Sequence, residues 1–466
     1  MHILDLAPEL FHNILVFSIV ARFRSYSSAG RAFRLKLVCK VFYHAFQPAL
    51  FESRVLDTFL TTRLHNWSIR RHHSCNQLWH SYLVYRVRNE TDPTICRFVE
   101  IQEIAREFCT AAQADYDETV DGLCRLALER GTHNHEDSND QCDFGWAIYD
   151  QNPQLNLLSA AAYFGHLGLA KQLLADGCSP IRHDMFDSPM RLAAFSGNAD
   201  MVILFQNDLP GVRDESFSYR YTKTVLESID GAALRGDVDM LRLAMRPLSH
   251  SRPHNSNFNN QKFANVAYHL DVRVNWTRTL AMASTWDVFE YITSFCDPCY
   301  RFKHQYLNIN AARGNMDMVR RLLDEGWDID GNKGDISILT SAVQAYHEDI
   351  VDLLLELGAN PNKCERDNSA LYAAAMAGSM RMIRKLMDYG ASNDNNEEQQ
   401  RGMLCAAVSR EHTEMVNFFF DQGFLNRECP EYIRKYAEER KLESMVELLK
   451  KWKRPSFTLR PLVRWG

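Results

Sequence analysis

Four glycines recur through the C-terminal part of this 466-residue chain at nearly fixed spacing: Gly326, Gly358, Gly390 and Gly423 stand 32, 32 and 33 residues apart. A period of this length settles the architecture before any single motif is weighed, because it marks one supersecondary unit repeated in tandem. Around these glycines the segments Ile338 to Gly358, Ala370 to Gly390 and Met403 to Gly423 align with a single one-residue insertion. The frame continues upstream, where Gly165-His166 and Gly197-Asn198 are again 32 residues apart, each ahead of an apolar helix (Leu169 to Leu174, Met201 to Phe205). Gly236-Asp237 and Gly314-Asn315 open further units, and Met445 to Leu449 reads as the second helix of a last one.

Each unit has a physical logic. Ala161-Ala162, Ala193-Ala194, Ala232-Ala233 and Ala374-Ala375 lie in the first helix, where bulk would hold neighbouring helices apart. The turn after it often carries glycine, which accepts the left-handed backbone that ends a helix sharply. The second helix places Met, Ile, Val and Leu at i, i+3 and i+4, giving one apolar stripe. A single unit cannot bury that stripe, so stability arises between neighbours. From Leu155 to Lys453 the chain resembles the ankyrin repeat family, with Ser188-Pro189-Met190-Arg191-Leu192-Ala193-Ala194 nearest to that family's turn and first helix. Elsewhere the turn is degenerate: Ser337-Ile338-Leu339-Thr340 and Ser369-Ala370-Leu371-Tyr372 lack the proline, Tyr346 and Arg410 replace the inter-helix glycine, and Thr279 to Phe295 looks like a decayed unit. The resemblance implies an all-α ankyrin-repeat solenoid of about nine helix-turn-helix units.

At the N-terminus, Pro8 suits the first turn of a helix, where its missing N–H has no partner to lose. Leu10, Ile14 and Leu15 then share a face, and a second helix aligns Leu35, Val38, Cys39 and Phe42 until Pro48 ends it. Leu6, Pro8, Glu9, Leu10, Ile14, Leu15, Leu37, Val38, Cys39, Lys40 and Phe42 are similar by position to the F-box pattern, as in fungal-type F-box/ankyrin proteins. Ala7 between Leu6 and Pro8, and a long basic stretch from Val20 to Ala32, depart from that pattern. The resemblance implies docking on the adaptor subunit of a cullin-based ubiquitin ligase through Leu6, Pro8, Glu9, Leu10, Ile14, Leu15, Leu37, Val38, Cys39 and Phe42. The alternative is that the segment only caps the apolar end of the solenoid, as terminal repeats must be covered. The organisation expected is an F-box-like segment over 1–54, a helical connection over 55–131, a polar linker over 132–154, the repeat array over 155–453 with insertions near 207–224 and 247–261, and a basic tail over 454–466.

Composition narrows the function. Hydrophobic residues at 46% and charged residues at 24% describe a folded chain rather than a disordered one. A net charge of -6 gives no global attraction to nucleic acid or anionic membrane, so neither is an expected partner. The apolar run Ile14 to Ala21 follows Asp5 and Glu9 and precedes Arg22 and Arg24, the wrong flanks for a secretory signal. No stretch reaches the roughly 18 consecutive apolar residues a spanning helix needs. Twelve cysteines scattered along the chain fit a reducing compartment, cytoplasmic or nuclear.

Chemistry is sparse. His133-Asn-His135, Cys296-Asp-Pro-Cys299 and His72-His73 with Cys75 lack the further ligands that structural zinc requires, so no metal and no cofactor are expected. Phosphate-loop, nucleophile-elbow and H-E-x-x-H motifs are missing, and no catalytic residue is assigned. The reading is therefore a non-enzymatic protein-protein interaction scaffold. Its partner-binding positions, taken from the repeat register, are Arg191, Asp230, Asn308, Thr340, Tyr372 and Cys405. Lys450, Lys451, Lys453 and Arg454 form the one dense basic stretch, a nuclear import candidate or a helix end whose cations suit the dipole. Two functions follow: substrate receptor of a ubiquitin ligase, or nuclear transcription co-regulator acting through a bound transcription factor.

Overall fold

The computed structural model describes residues 6–22, 32–57, 73–92, 96–129, 152–182, 184–208, 217–245, 279–294, 300–331, 336–363, 369–392, 397–423 and 429–451. Among them the regular elements are all helical, as the repeat period requires. The chain divides into two compact units, Leu56–Trp327 and Met1–Val55 with Asp328–Gly466. Linker residues 132–151, the stretch 247–261 and the tail 454–466 lie outside the described residues.

The second unit in this naming begins with two helices, α1 (Pro8–Arg22) and α2 (Lys40–Glu52), which pack on each other. Phe11, Leu15 and Ile19 face inward from α1, and the Phe11 ring meets Phe42 edge-on with centroids 5.1 Å apart. Between the helices, Arg34–Leu37 forms a short 3-10 turn, and Cys39 is extended and starts α2. The expected continuous stripe from Leu35 to Phe42 is therefore broken at Cys39. Pro48 does not end the helix either, which runs on to Glu52. Only one hydrogen bond is lost to proline's missing N–H, and Ala49, Leu50 and Phe51 beyond it are buried, so packing holds the last turn in place.

In the unit Leu56–Trp327, α3 (His73–Asn89), α4 (Cys96–Ala112) and α5 (Tyr116–Glu129) form a helical layer, and α4 packs on the first helix of the repeats, Pro153–Phe164. Phe108 of α4 lies 5.0 Å from the Phe164 ring, and Gly122 of α5 leaves room for that ring: a Cβ there would come within 2.6 Å of it. The first helix pair is thus covered from within its own unit. Further pairs follow, Pro189–Ser196 with Ala199–Asn207, Phe217–Arg235 with Val238–Met245, a first helix described over 279–282 with Trp286–Thr293, and Tyr300–Arg313 with Met316–Asp324. Helix Phe217–Arg235 starts inside the stretch 207–224 read as an insertion.

The other unit continues with Ile338–Gln344 and Glu348–Glu356, Ala370–Ala377 and Met380–Asp388, Glu397–Ser409 and Thr413–Asp421, and Cys429–Glu439 and Glu443–Lys451. Capping explains why these short helices form. Ser188, Ser337 and Ser369 each accept a hydrogen bond from the N–H three residues on, and Asn198, Asn315, Ser379 and His412 do so for the second helices. Such caps contribute about 1 kcal/mol each. Glycine between the helices adopts the left-handed backbone, with φ +78 at Gly165, +80 at Gly197 and +80 at Gly378.

Where glycine is missing, the frame corrects the sequence reading by one residue: Tyr346 (φ 60) takes the left-handed turn as expected, but Glu411 (φ 53), not Arg410, does so in the next-to-last pair. The reason is the cap. His412 starts the following helix, and in every such turn the left-handed residue immediately precedes the cap. Lys441 (φ 55) occupies the same place in the last pair. Left-handed backbone costs a non-glycine residue roughly 1–2 kcal/mol. Lys441→Gly is therefore expected to raise the unfolding midpoint, by an amount equivalent to up to about 1 kcal/mol once glycine's greater unfolded-chain entropy is deducted; a lower midpoint in urea would refute it.

Candidate protein-interaction surfaces

Helix α1 has two apolar faces. Leu15 and Phe11 are buried against α2, whereas Leu10, Ile14, Phe17 and Val20, at i, i+4, i+7 and i+10, remain open, Phe17 at 73% exposure. Leu37, at 74%, and Val38 and Val41 are likewise exposed around the 3-10 turn and the start of α2. Of the expected docking residues, Pro8, Glu9, Leu10, Ile14, Leu37 and Val38 are accessible, and Leu6 and Cys39 are half-buried. Leu15 and Phe42 are core residues that hold the helix pair together and offer no surface to a partner. Phe17, Val20 and Val41 are open residues that the motif omits. For Phe17 and Val20 the signal lies in the i, i+7, i+10 spacing that continues from Leu10.

This apolar surface is edged by charge. Lys36 lies over the Tyr43 ring with its nitrogen 5.9 Å from the centroid, and His12 Nε2 is 2.6 Å from Glu52 Oε2, tying α1 to the end of α2.

The six positions read from repeat register lie on first helices, three in each of the two units. Three of them, Arg191, Asp230 and Thr340, are buried, and Asn308, Tyr372 and Cys405 are half-buried. Within each unit the buried members face adjacent first helices, which the small residues that follow them let close up. Arg191 Nε lies 3.6 Å from Asp187 Oδ2, and Thr279 donates to Asp230 at 2.6 Å. Burial alone would lower the Arg191 pKa; the carboxylates of Asp187, Asp230 and Glu227 outweigh it and hold the guanidinium above its ordinary value. Ser188 donates to Glu227 at 2.9 Å, so this polar seam joins three successive pairs. As placed, Arg191, Asp230 and Thr340 align the repeats and leave contact with a partner to residues around them.

The second helices present charge instead. In the unit containing the last four pairs, Arg381 meets Glu348 at 3.0 Å, Arg384 meets Glu414 at 2.6 Å, and Lys385 pairs with Asp352. A basic helix thus lies between two acidic ones, which fixes register between neighbours more than it adds stability, since exposed pairs contribute about 0.2–1 kcal/mol each. Lys450 and Lys451 are exposed in the last turn of Glu443–Lys451, while Lys453 and Arg454 fall outside the described residues. His133, His135, Cys296 and Cys299 also fall outside, and among the described residues no three His, Cys, Asp or Glu side chains gather to hold a metal. No described helix is long and apolar enough to cross a membrane. Cys124 is buried beside Asp121, which pushes its thiol well above the ordinary range and leaves it unreactive.

A model of three tandem ankyrin repeats matches residues 281–363. The chain carries ankyrin repeats. The match begins within the pair containing Trp286–Thr293, in the segment Thr279 to Phe295 that looks like a decayed unit in sequence. Among curated proteins, the inactive serine/threonine-protein kinase TEX14 of Bos taurus is 25% identical over 169 residues, 35% of this chain and 10% of that protein. Alpha-latrocrustotoxin-Lt1a of Latrodectus tredecimguttatus is 29% identical over 111 residues, 23% of this chain and 8% of the toxin. The chain thus spans a tenth or less of these relatives, whose names share no activity. The crystal structure of the ankyrin repeat domain of Bcl-3 aligns with 19% identity over 56% of this chain and 97% of that one, at a TM-score of 0.24. Ankyrin repeats are interaction modules, so the chain is a protein-protein interaction scaffold in which stacked pairs supply an extended surface.

Proposed function

We propose that the chain is a substrate receptor of a cullin-based ubiquitin ligase, with the N-terminal segment docking on the adaptor subunit and the ankyrin repeats holding the protein to be ubiquitinated. The observation that carries this reading is the second apolar face of α1. A helix that already fills its core with Phe11, Leu15 and Ile19 has no internal use for Leu10, Ile14 and Phe17 on its other side. Exposed apolar stripes of this kind mark interaction sites. The capping alternative is less well supported, because α4 and α5 already cover the first repeat pair and a cap would have turned its apolar face inward.

Burying a side chain of this size contributes about 1.5–3 kcal/mol. Loss of both Leu10 and Phe17 therefore weakens adaptor binding by at least about a hundredfold. The experiment is a pull-down of the adaptor subunit by the intact chain, by Leu10→Asp/Phe17→Asp, and by Leu357→Asp, which places the same change on an exposed repeat leucine. Circular dichroism confirms that all three are folded. Binding lost only in the double variant supports the receptor reading. Failure of the intact chain to bind removes it and favours a transcription co-regulator that reaches the nucleus through Lys450, Lys451, Lys453 and Arg454.

A further inference from the structure

We propose that Arg34 clamps the N-terminal segment onto the inter-helix turn Arg410–Glu411, through a guanidinium-to-carbonyl contact related to those that join the repeats. This goes beyond the receptor reading and holds whether or not the segment binds an adaptor.

The last carbonyls of a helix have no donor within it. In three repeats an arginine at the end of the first helix fills this gap in the preceding pair. Arg235 Nη1 donates to the Phe195 carbonyl at 3.2 Å, Arg313 Nη1 to the Ala281 carbonyl at 2.6 Å, and Arg410 Nη2 to the Met376 carbonyl. Arg34 makes a related contact from far upstream: its Nη2 donates to the carbonyl of Arg410, one residue past the end of helix Glu397–Ser409. A run of guanidinium-to-carbonyl contacts therefore passes from Met376 through Arg410 to the N-terminal segment.

Glu411 supplies the second half of the clamp. It occupies the left-handed turn position that glycine fills in most of the other pairs, a backbone costly for glutamate. Its side chain is only 15% exposed; Oε2 accepts from Ser444 Oγ at 2.9 Å and lies 4.0 Å from Arg34 Nη1. A glutamate retained in a glycine position thus faces two partners, one in the next repeat and one in the N-terminal segment. Arg34 also opens the 3-10 turn Arg34–Leu37, whose end carries the exposed Leu37 and Val38. Arg34 is a positioning residue: it fixes that apolar turn relative to the helix pair Glu397–Ser409 and Thr413–Asp421.

Hydrogen exchange of the full-length protein at low salt tests the clamp, read at backbone amides of residues 34–52. Glu411→Arg places like charges together, and exchange in 34–52 is expected to rise about two- to fivefold, the range for a partly exposed ion pair. Arg34→Glu should do the same, and the Arg34→Glu/Glu411→Arg swap should recover most of the protection. Ser444→Ala removes a hydrogen bond to Glu411 from the next repeat and is expected to raise exchange only within Cys429–Lys451. The proposal is overturned if Glu411→Arg leaves 34–52 unchanged, if the swap is no better than the sum of its parts, or if Ser444→Ala disturbs the N-terminal segment equally. Adaptor binding is not a readout, so failure here is separate from failure of the receptor reading.

Discussion

Replacing Gly231 by alanine lowers the stability of the unit Leu56–Trp327 by roughly 1–3 kcal/mol, the usual cost of overpacking. The sign is the informative part. Alanine in place of an interior helix glycine ordinarily stabilises by about 1 kcal/mol. Here helix Phe217–Arg235 approaches Pro189–Ser196 so closely that a Cβ at position 231 would overlap the Arg191 carbonyl oxygen and stand 3.0 Å from the Ala194 Cβ. The obstacle is the backbone of a neighbouring helix, which cannot rotate away as a side chain can. Separating the helices would loosen the contacts of Ala193, Ala194, Ala232 and Ala233, all buried, and stretch the hydrogen bond from Ser188 to Glu227. Gly402→Ala is the comparison, since its added Cβ meets the Tyr372 ring at 2.8 Å, an obstacle that can turn aside. Thermal melting should show a clear drop for Gly231→Ala and a change within about 1 kcal/mol for Gly402→Ala. A Gly231→Ala protein as stable as the parent would mean the two helices are not in this contact.

The glycine comb, the serine and asparagine caps and the alanine pairs made the repeats legible, because each acts within its own unit and leaves a mark at fixed spacing. What escaped is set by contacts between units. The positions from Arg191 to Cys405 are placed by register on first helices, yet Arg191, Asp230 and Thr340 are buried, and no single repeat carries that information. Gly231 stands directly before the small pair Ala232-Ala233, and its necessity depends on a carbonyl forty residues earlier in sequence. The turn at Glu411 shifted by one place because the cap at His412, and not the arginine before it, fixes the frame. In the N-terminal segment, Leu10 and Ile14 were assigned to one face with Leu15, whereas the structure puts Leu15 inside and the other two outside. Periodicity alone finds apolar stripes but does not say which of two α2 will cover.

The largest effect is expected at Arg86, and it concerns the layer that covers the first repeat. Its guanidinium is 1% exposed and lies 2.8 Å from Glu90 Oε2, itself 1% exposed, and 3.1 Å from Asp57 Oδ2, while its plane stacks over Phe98 of α4 at 4.9 Å. Arg86→Met keeps much of the volume but leaves the Glu90 carboxylate buried without its cation, a change that costs about 3–5 kcal/mol. Asp57 suffers less, since it is 31% exposed and still accepts from Tyr82 at 2.6 Å. Replacing both members of the buried pair, Arg86→Met/Glu90→Met, should recover much of the loss, because apolar residues of similar volume often substitute for a buried ion pair without penalty. Glu90 also accepts from the backbone N–H groups of Thr91 and Asp92, so the recovery is expected to be incomplete. The damage should spread along a defined route: α3 holds α4 through Arg86 on Phe98 and through Gln102, which donates to the Glu90 carbonyl at 3.0 Å, and α4 in turn covers helix Pro153–Phe164. Exchange should therefore rise in 96–112 and 153–164 of Arg86→Met while the last four repeat pairs keep their protection. Uniform loss across every repeat would instead mean that the chain unfolds as one block and that α3 to α5 are not a separable cover.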